Sequence, residues 1–207
     1  MLVFTKNGPG VAGYICCIKI VNMKAVDKDR LLDDLGKLVD DHIQSAVAVF
    51  QNMHSELLVK PAVNGGWSIA QCLEHLNRYG NYYIPLIRQG LARQKELTTG
   101  GTFKSGVIGA YFTRMMDPDK GKKKMRAFKE YIPGVELDGH AVVAEFIRQQ
   151  EMLLTCIGWA RRADLKGTRI PVSIMKWLKL RLGDVLQFVV MHDERHIRQA
   201  KRNCPMD

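Results

Sequence analysis

Two histidines four residues apart interrupt an apolar helical run in VLQFVVMHDERHIRQAKR, residues 185–202. Steps of three and four link Val185, Val189, His192 and His196 into one stripe, with Leu186, Asp193, Ile197 and Ala200 alongside. Both imidazoles therefore sit on the inward face of the helix, about 40° apart around its axis and one turn apart along it. A buried ring without a partner costs on the order of 1–3 kcal/mol. Neutral imidazoles at i and i+4 can converge on one divalent ion. Each can instead bond a carboxylate or a backbone carbonyl, and the pair alone does not choose. Two ligands make a weak site, so a third is expected from a facing helix. His75, in QCLEHLNRYG, is the candidate, one turn after Cys72 and one before Tyr79. His42, His54 and His140 read as ordinary polar or core histidines.

Three nitrogen ligands would leave open coordination positions, as in catalytic rather than closed structural sites. An ion so held can turn water into hydroxide for hydrolysis, or take a thiol as thiolate for attack on an electrophile. The ligands fit both chemistries. Ligating imidazoles need hydrogen bonds to fix their tautomers, and Glu74, Asp193, Glu194 and Gln199 are the polar candidates. Glu74 and Asp193 are also the candidates for a catalytic acid or base. For Asp193, a surface ion pair with Arg198 or Lys201 is the preferred reading. Arg195 and Arg198 can attract an anionic substrate or complement the helix C-terminus. Asn77, Tyr79, Tyr82 and Tyr83 can line a pocket or serve packing.

These residues depend on the helices that carry them. Asp27 is positioned to cap a first helix to about Leu57, with Leu31, Leu32, Leu35, Leu38, Val39, Ile43, Ala46, Val47, Phe50 and Met53 at helical spacing. KPAVNGG breaks it. In WSIAQC, Ser68 and Gln71 form a capping box and Trp67 with Cys72 a hydrophobic staple. That second helix runs to about Lys95, with Pro85 expected to kink or shorten it. Asp138 is the cap candidate for a third helix, Gly139 to Ala163, and Asp184 with Gln187 forms a second capping box opening the last. Nothing alternates with period two over a useful length, so strands should be scarce. Four long amphipathic helices argue for an all-α four-helix bundle. The connection 98–138 exceeds the about 12–15 residues common in compact domains, and VIGAYFTRMM is a candidate short helix within it.

Composition narrows the function classes. With 207 residues, 46% apolar and 25% charged, one soluble domain with a real core is expected. No run of 18 apolar residues suggests a membrane span. VAGYICCIKIV, residues 11–21, is short for a signal-peptide core, so residues 1–22 read as an N-terminal extension and 23–207 as one bundle domain. Five cysteines, odd in number and without C-x-x-C spacing, fit reduced thiols and a cytoplasmic location. The net charge of +10 includes the basic run KGKKKMRAFK, Lys120–Lys129. It can bind nucleic acid, but no nucleic-acid motif accompanies it, and a solvated loop is the preferred reading.

Taken together, WSIAQCLEHLN around His75 and LGDVLQFVVMHDERHIRQ around His192 and His196 resemble the DinB-like (damage-inducible) superfamily of bacterial four-helix bundles. The resemblance covers about residues 24–203. It implies an up-down-down-up bundle with a long crossover between helices 2 and 3, and a nickel or zinc ion held by His75, His192 and His196. It further implies a metal-dependent transferase using a low-molecular-weight thiol, or a related isomerase or hydrolase, acting on a small molecule. Homodimers are compatible with such bundles. The competing expectation is a non-catalytic metal-binding bundle.

Overall fold

The computed structural model describes residues 24–94, 99–121 and 126–205. The expected N-terminal extension, Cys16, Cys17 and the centre of the lysine run lie outside the described residues. The first strand, β1 (Val26–Asp27), leads into α1 (Lys28–Ser45), which Asp27 caps by accepting the Arg30 N–H at 2.9 Å. Leu32, Leu35, Val39 and His42 form the buried face of α1. A π-helical turn, Ala46–Phe50, carries the face on to Ala46 and Phe50. The helix then stops short of the expected Leu57. A separate short helix, α2 (Ser55–Val59), buries Leu58.

Helix α3 (Ile69–Ala92) opens on the expected capping box: Ser68 Oγ accepts from Gln71 N at 3.1 Å and Gln71 Oε1 from Ser68 N at 3.0 Å. Pro85 lies on its exposed side and the helix continues past it. The crossover then holds β2 (Thr102–Phe103), which pairs with β1, and α4 (Val107–Met116), the VIGAYFTRMM piece. Helix α5 (Gly139–Ala160) starts on Asp138, whose carboxylate accepts from Ala141 N at 3.1 Å. A two-stranded hairpin follows, β3 (Arg169–Val172) and β4 (Met175–Arg181), with Ile170 opposite Leu180. Its alternation spans too few residues to stand out from the surrounding apolar stretch.

Helix α6 (Leu182–Lys201) starts directly from β4 and before the expected Asp184 cap. The physical reason is that backbone carbonyls already serve its first turn: Leu182 N donates to Thr168 O at 3.0 Å and Gly183 N to Leu165 O at 3.1 Å. Asp184 is thereby released to accept the Gly106 N–H at the start of α4, at 3.0 Å. Gly109 of α4 lies so close that an added Cβ would overlap the Asp184 carboxylate. Gly109→Ala is therefore expected to push α4 off α6 and destabilise the fold by about 1–3 kcal/mol, as overpacking does. Thermal melting and faster proteolysis within the crossover would register it; an unchanged melt would show that α4 is not docked in this way.

The long helices α1, α3, α5 and α6 form the bundle. Helices α1 and α3 each pack against both α5 and α6, so sequence neighbours α1 and α3 sit diagonally. The apolar core divides into two clusters. One joins Leu32, Leu35 and Val39 to Ile87, Leu153, Ile157, Val185 and Val189; the other joins Ala46 and Phe50 to Ile69, Leu73, Val143, Phe146, Ile197 and Ala200. Along α1 and α6 the chain passes from the first cluster to the second, whereas along α3 and α5 it passes from the second to the first. Parallel α3 and α5 require a connection that returns the length of the bundle, which the crossover supplies. Between the clusters lies a belt of buried polar side chains: His42, His75, Asn77, Gln149, Gln150, His192 and Asp193. Among the described residues no helix is long and apolar enough to cross a membrane.

Candidate metal centre

Within the polar belt, α3 and α6 bring three imidazoles together. The available ring nitrogens of His75, His192 and His196 all lie within 4.8 Å of one another. His75 Nε2 and His192 Nε2 are 3.2 Å apart. Two bonds of about 2.1 Å to one ion at a near-tetrahedral angle span roughly that distance. Among the described residues this is the one group of three or more histidine, cysteine or acidic side chains whose donors converge.

The hydrogen bonds behind the rings favour the tautomers a cation requires. His75 Nδ1 donates to the Tyr131 carbonyl at 2.7 Å, leaving a lone pair on Nε2. His196 Nδ1 donates to Gln199 Oε1 at 3.0 Å, with the same consequence. The Tyr131 carbonyl is fixed because α3 grips the segment around it: Arg78 donates to Ile132 O at 2.9 Å and Gln71 to Gly134 O at 3.1 Å. Burial pushes His75 down to about 4, with Arg78 adding to the effect. Burial also pushes His196 down to about 3, helped by His75 and Arg195. His192 is held well below its ordinary value by burial, then by His196, His75 and Arg195. All three rings are therefore neutral near pH 7, the state in which imidazole donates a lone pair.

Aromatic rings wall the cluster. Phe188 lies parallel to His192 with centroids 5.8 Å apart, Tyr79 stands against His192 at 4.6 Å, and Trp67 stacks on His196 at 5.9 Å. Beside them opens a cavity of about 1480 Å³, bounded by α3, α6, the crossover, the hairpin and the stretch before α3. Phe112, Met115 and Met116 of α4 form part of its wall.

The other candidates fall elsewhere. Asp193 is buried and accepts from Gln150 Nε2 of α5 at 2.9 Å, so it neither bonds a ligating ring nor pairs with a surface cation. Burial raises it to about 6. Glu74 is engaged by Arg78 at 2.9 Å. Glu194 pairs with His42 at 2.9 Å and with Arg198, and the His42 contact foremost holds it down to about 2. Arg198 also reaches Asp119 at 2.9 Å. Arg195 lines the cavity, donating to Met115 O at 3.3 Å and Gly121 O at 3.4 Å. Of the pocket candidates, Tyr79 and Tyr83 line it; Asn77 donates to Val142 O at 3.0 Å, and Tyr82 to Pro171 O at 3.4 Å. His42 is buried in its ion pair, His54 precedes α2, and His140 lies exposed in the first turn of α5. Residue spacing does not reveal Trp67, Phe112 or the Tyr131 carbonyl as parts of the site. Phe188, one turn before His192, carried a usable signal.

Fold and site together define a four-helix bundle whose second and fourth long helices converge three imidazoles on a cavity. The sequence profile of the DinB superfamily matches residues 38–200, and the chain belongs to that superfamily. Among solved structures it is similar to YfiT from Bacillus subtilis, described as "a probable metal-dependent hydrolase with an unusual four-helix bundle topology". The identity is 17%, the TM-score 0.49, and 85% of each chain is covered. None of the curated proteins compared with the chain matches it.

Proposed function

We propose that this protein is a divalent-metal-dependent enzyme acting on a small molecule bound in the cavity, as a hydrolase or a thiol-dependent S-transferase. The observation that carries the proposal is the convergence of His75, His192 and His196 beside a large cavity. No fourth histidine, cysteine or acidic donor joins the group among the described residues. A closed structural site takes four protein ligands, so three favour the catalytic reading over a metal-stabilised bundle. Nickel or zinc suits an all-imidazole donor set. When bound, such an ion supplies Lewis acidity, activating water or a low-molecular-weight thiol and polarising the substrate.

The chain's own groups divide the remaining work. Tyr131 O and Gln199 hold two rings with Nε2 directed inward, and Trp67, Tyr79 and Phe188 restrict water around the reacting centre. Asp193 and Glu74, held by Gln150 and Arg78, are not among the cavity-lining residues and are given no role in this reading. The test uses untagged protein stripped by a chelator and assayed on esters, amides, thioesters and activated halides, with and without a small thiol. Turnover should vanish on stripping and return with added nickel or zinc, and thiol dependence would distinguish transfer from hydrolysis. Stoichiometric ion with no turnover of any electrophile would leave the non-catalytic bundle.

A further inference from the structure

The cavity changes character along α6. Phe188, His192, Arg195, His196, Gln199 and Arg202 all line it, a helical stripe from residue 188 to residue 202. At about 1.5 Å per residue the stripe spans roughly 21 Å, with the imidazoles between its ends. Around Phe188 the walls are apolar, from Phe112 and Met116 of α4, and from Val172, Ile174 and Leu180 of the hairpin region. Past His192 the stripe gains cations, with Arg195 between the two α6 imidazoles in sequence and Arg202 beyond them.

Charge on the lining has one sign. Lys60, Arg126, Arg195 and Arg202 line the cavity, and no aspartate or glutamate does so among the described residues. Nearby carboxylates have other partners: Glu194 has His42 and Arg198, Glu74 has Arg78, Asp193 has Gln150, and Asp117 has Lys120. Both Arg195 and Arg202 are close enough to act electrostatically on His196. Cations lining one cavity attract an anion. Helix-dipole complementarity accounts for Arg202 at the α6 C-terminus. It does not account for Arg195, which lies more than a turn before the helix end and is half-buried at the seam with the crossover.

We propose that the cavity selects an organic anion carrying an apolar group, with Arg195 and Arg202 taking the anionic end and Phe112, Met116 and Phe188 the apolar end. This rests on the cavity being the substrate site and places the reacting bond beside the imidazoles. A carboxylate and a phosphate monoester share the required chemistry, since guanidinium binds either through paired N–H donors.

Equilibrium binding to the untagged protein tests the proposal with 4-phenylbutyrate, phenyl phosphate and 4-phenylbutan-1-ol, the neutral control. At least one of the two anions should bind about tenfold or more tightly than the alcohol, as expected of a charge-assisted hydrogen bond, and their ranking identifies the preferred headgroup. Arg195→Gln and Arg202→Gln should each remove most of that preference without changing alcohol binding, and Arg195→Lys should restore part of it. If Arg195→Gln fails to fold after losing its carbonyl contacts, Arg202→Gln at the exposed end decides. Equal binding of anion and alcohol overturns the proposal. So does an anion preference that survives both glutamine substitutions, because the ion alone would then be responsible. Metal content measured on the same preparations separates the two readings. An arginine-dependent preference without bound ion upholds anion selection while the metal-site reading fails; bound ion without the preference gives the reverse.

Discussion

Purified without an affinity tag, the wild-type protein is expected to retain a divalent ion, and His192→Ala and His196→Ala are each expected to lose it. Removing a hydrogen bond behind a ligating ring already weakens metal binding by about 10–100-fold, so removing the ring itself should exceed that range. His192 is 4% exposed and stacks on Phe188, so its truncation also leaves a small void. His196 is half-buried, and its variant tests binding with less disturbance of the core. His140→Ala is the control: the residue is exposed on α5 and should leave the metal content at the wild-type level. Elemental analysis gives the content per chain, and circular dichroism confirms that each variant is folded. Unchanged metal in both His192→Ala and His196→Ala would end the assignment of this site.

The bundle and the histidine cluster were legible for the same physical reason. Helical spacing is a local property, so Leu32, Leu35 and Val39 announce one buried face and Val185, Val189 and His192 another, with His196 half-buried at its end. His75 stands out because a polar ring lies beside Leu73 and Leu76 on a helix whose start is marked by Ser68 and Gln71. What surrounds the rings was harder to read. The Tyr131 carbonyl is backbone, with no side-chain signature, and Gln71, His75 and Arg78 hold its segment across more than fifty residues. Asp184 and Gln187 match a capping pattern, but carbonyls from Leu165 and Thr168 had already satisfied the first turn. The hairpin shows alternation only over Arg169–Val172, too briefly to separate a strand from a short apolar run. Asp193 follows the inward stripe as expected. Its side chain nonetheless meets α5 rather than the cavity, a distinction that depends on which neighbour each edge of the stripe meets.

The ion-free protein is expected to lose stability steeply as the pH falls from neutrality, and bound ion is expected to oppose that loss. His75 and His196 drop from an ordinary value of 6.5 to about 4 and about 3, and His192 is lowered as well. Above the ordinary value these rings are neutral in both states and exert no pH effect. Below it the unfolded chain takes up protons that the folded rings refuse, so stability declines until the folded values are reached. Each ring can contribute up to about 1.4 kcal/mol per pH unit. Asp193 opposes this trend: raised to about 6 in the fold, it gains protons before the unfolded chain does. One carboxylate does not offset three rings. Glu194, lowered to about 2, adds a further loss only below its ordinary 4.5. Thermal melts between about pH 7 and pH 5 should therefore shift downward in ion-free protein by on the order of 5–10 °C. Saturating nickel or zinc should raise the midpoint at each pH by mass action on the folded state. A folded variant with all three histidines replaced should lose most of both responses. A flat profile in ion-free protein would mean that the rings are not held neutral, and an equal slope in the triple variant would place the titrating groups elsewhere.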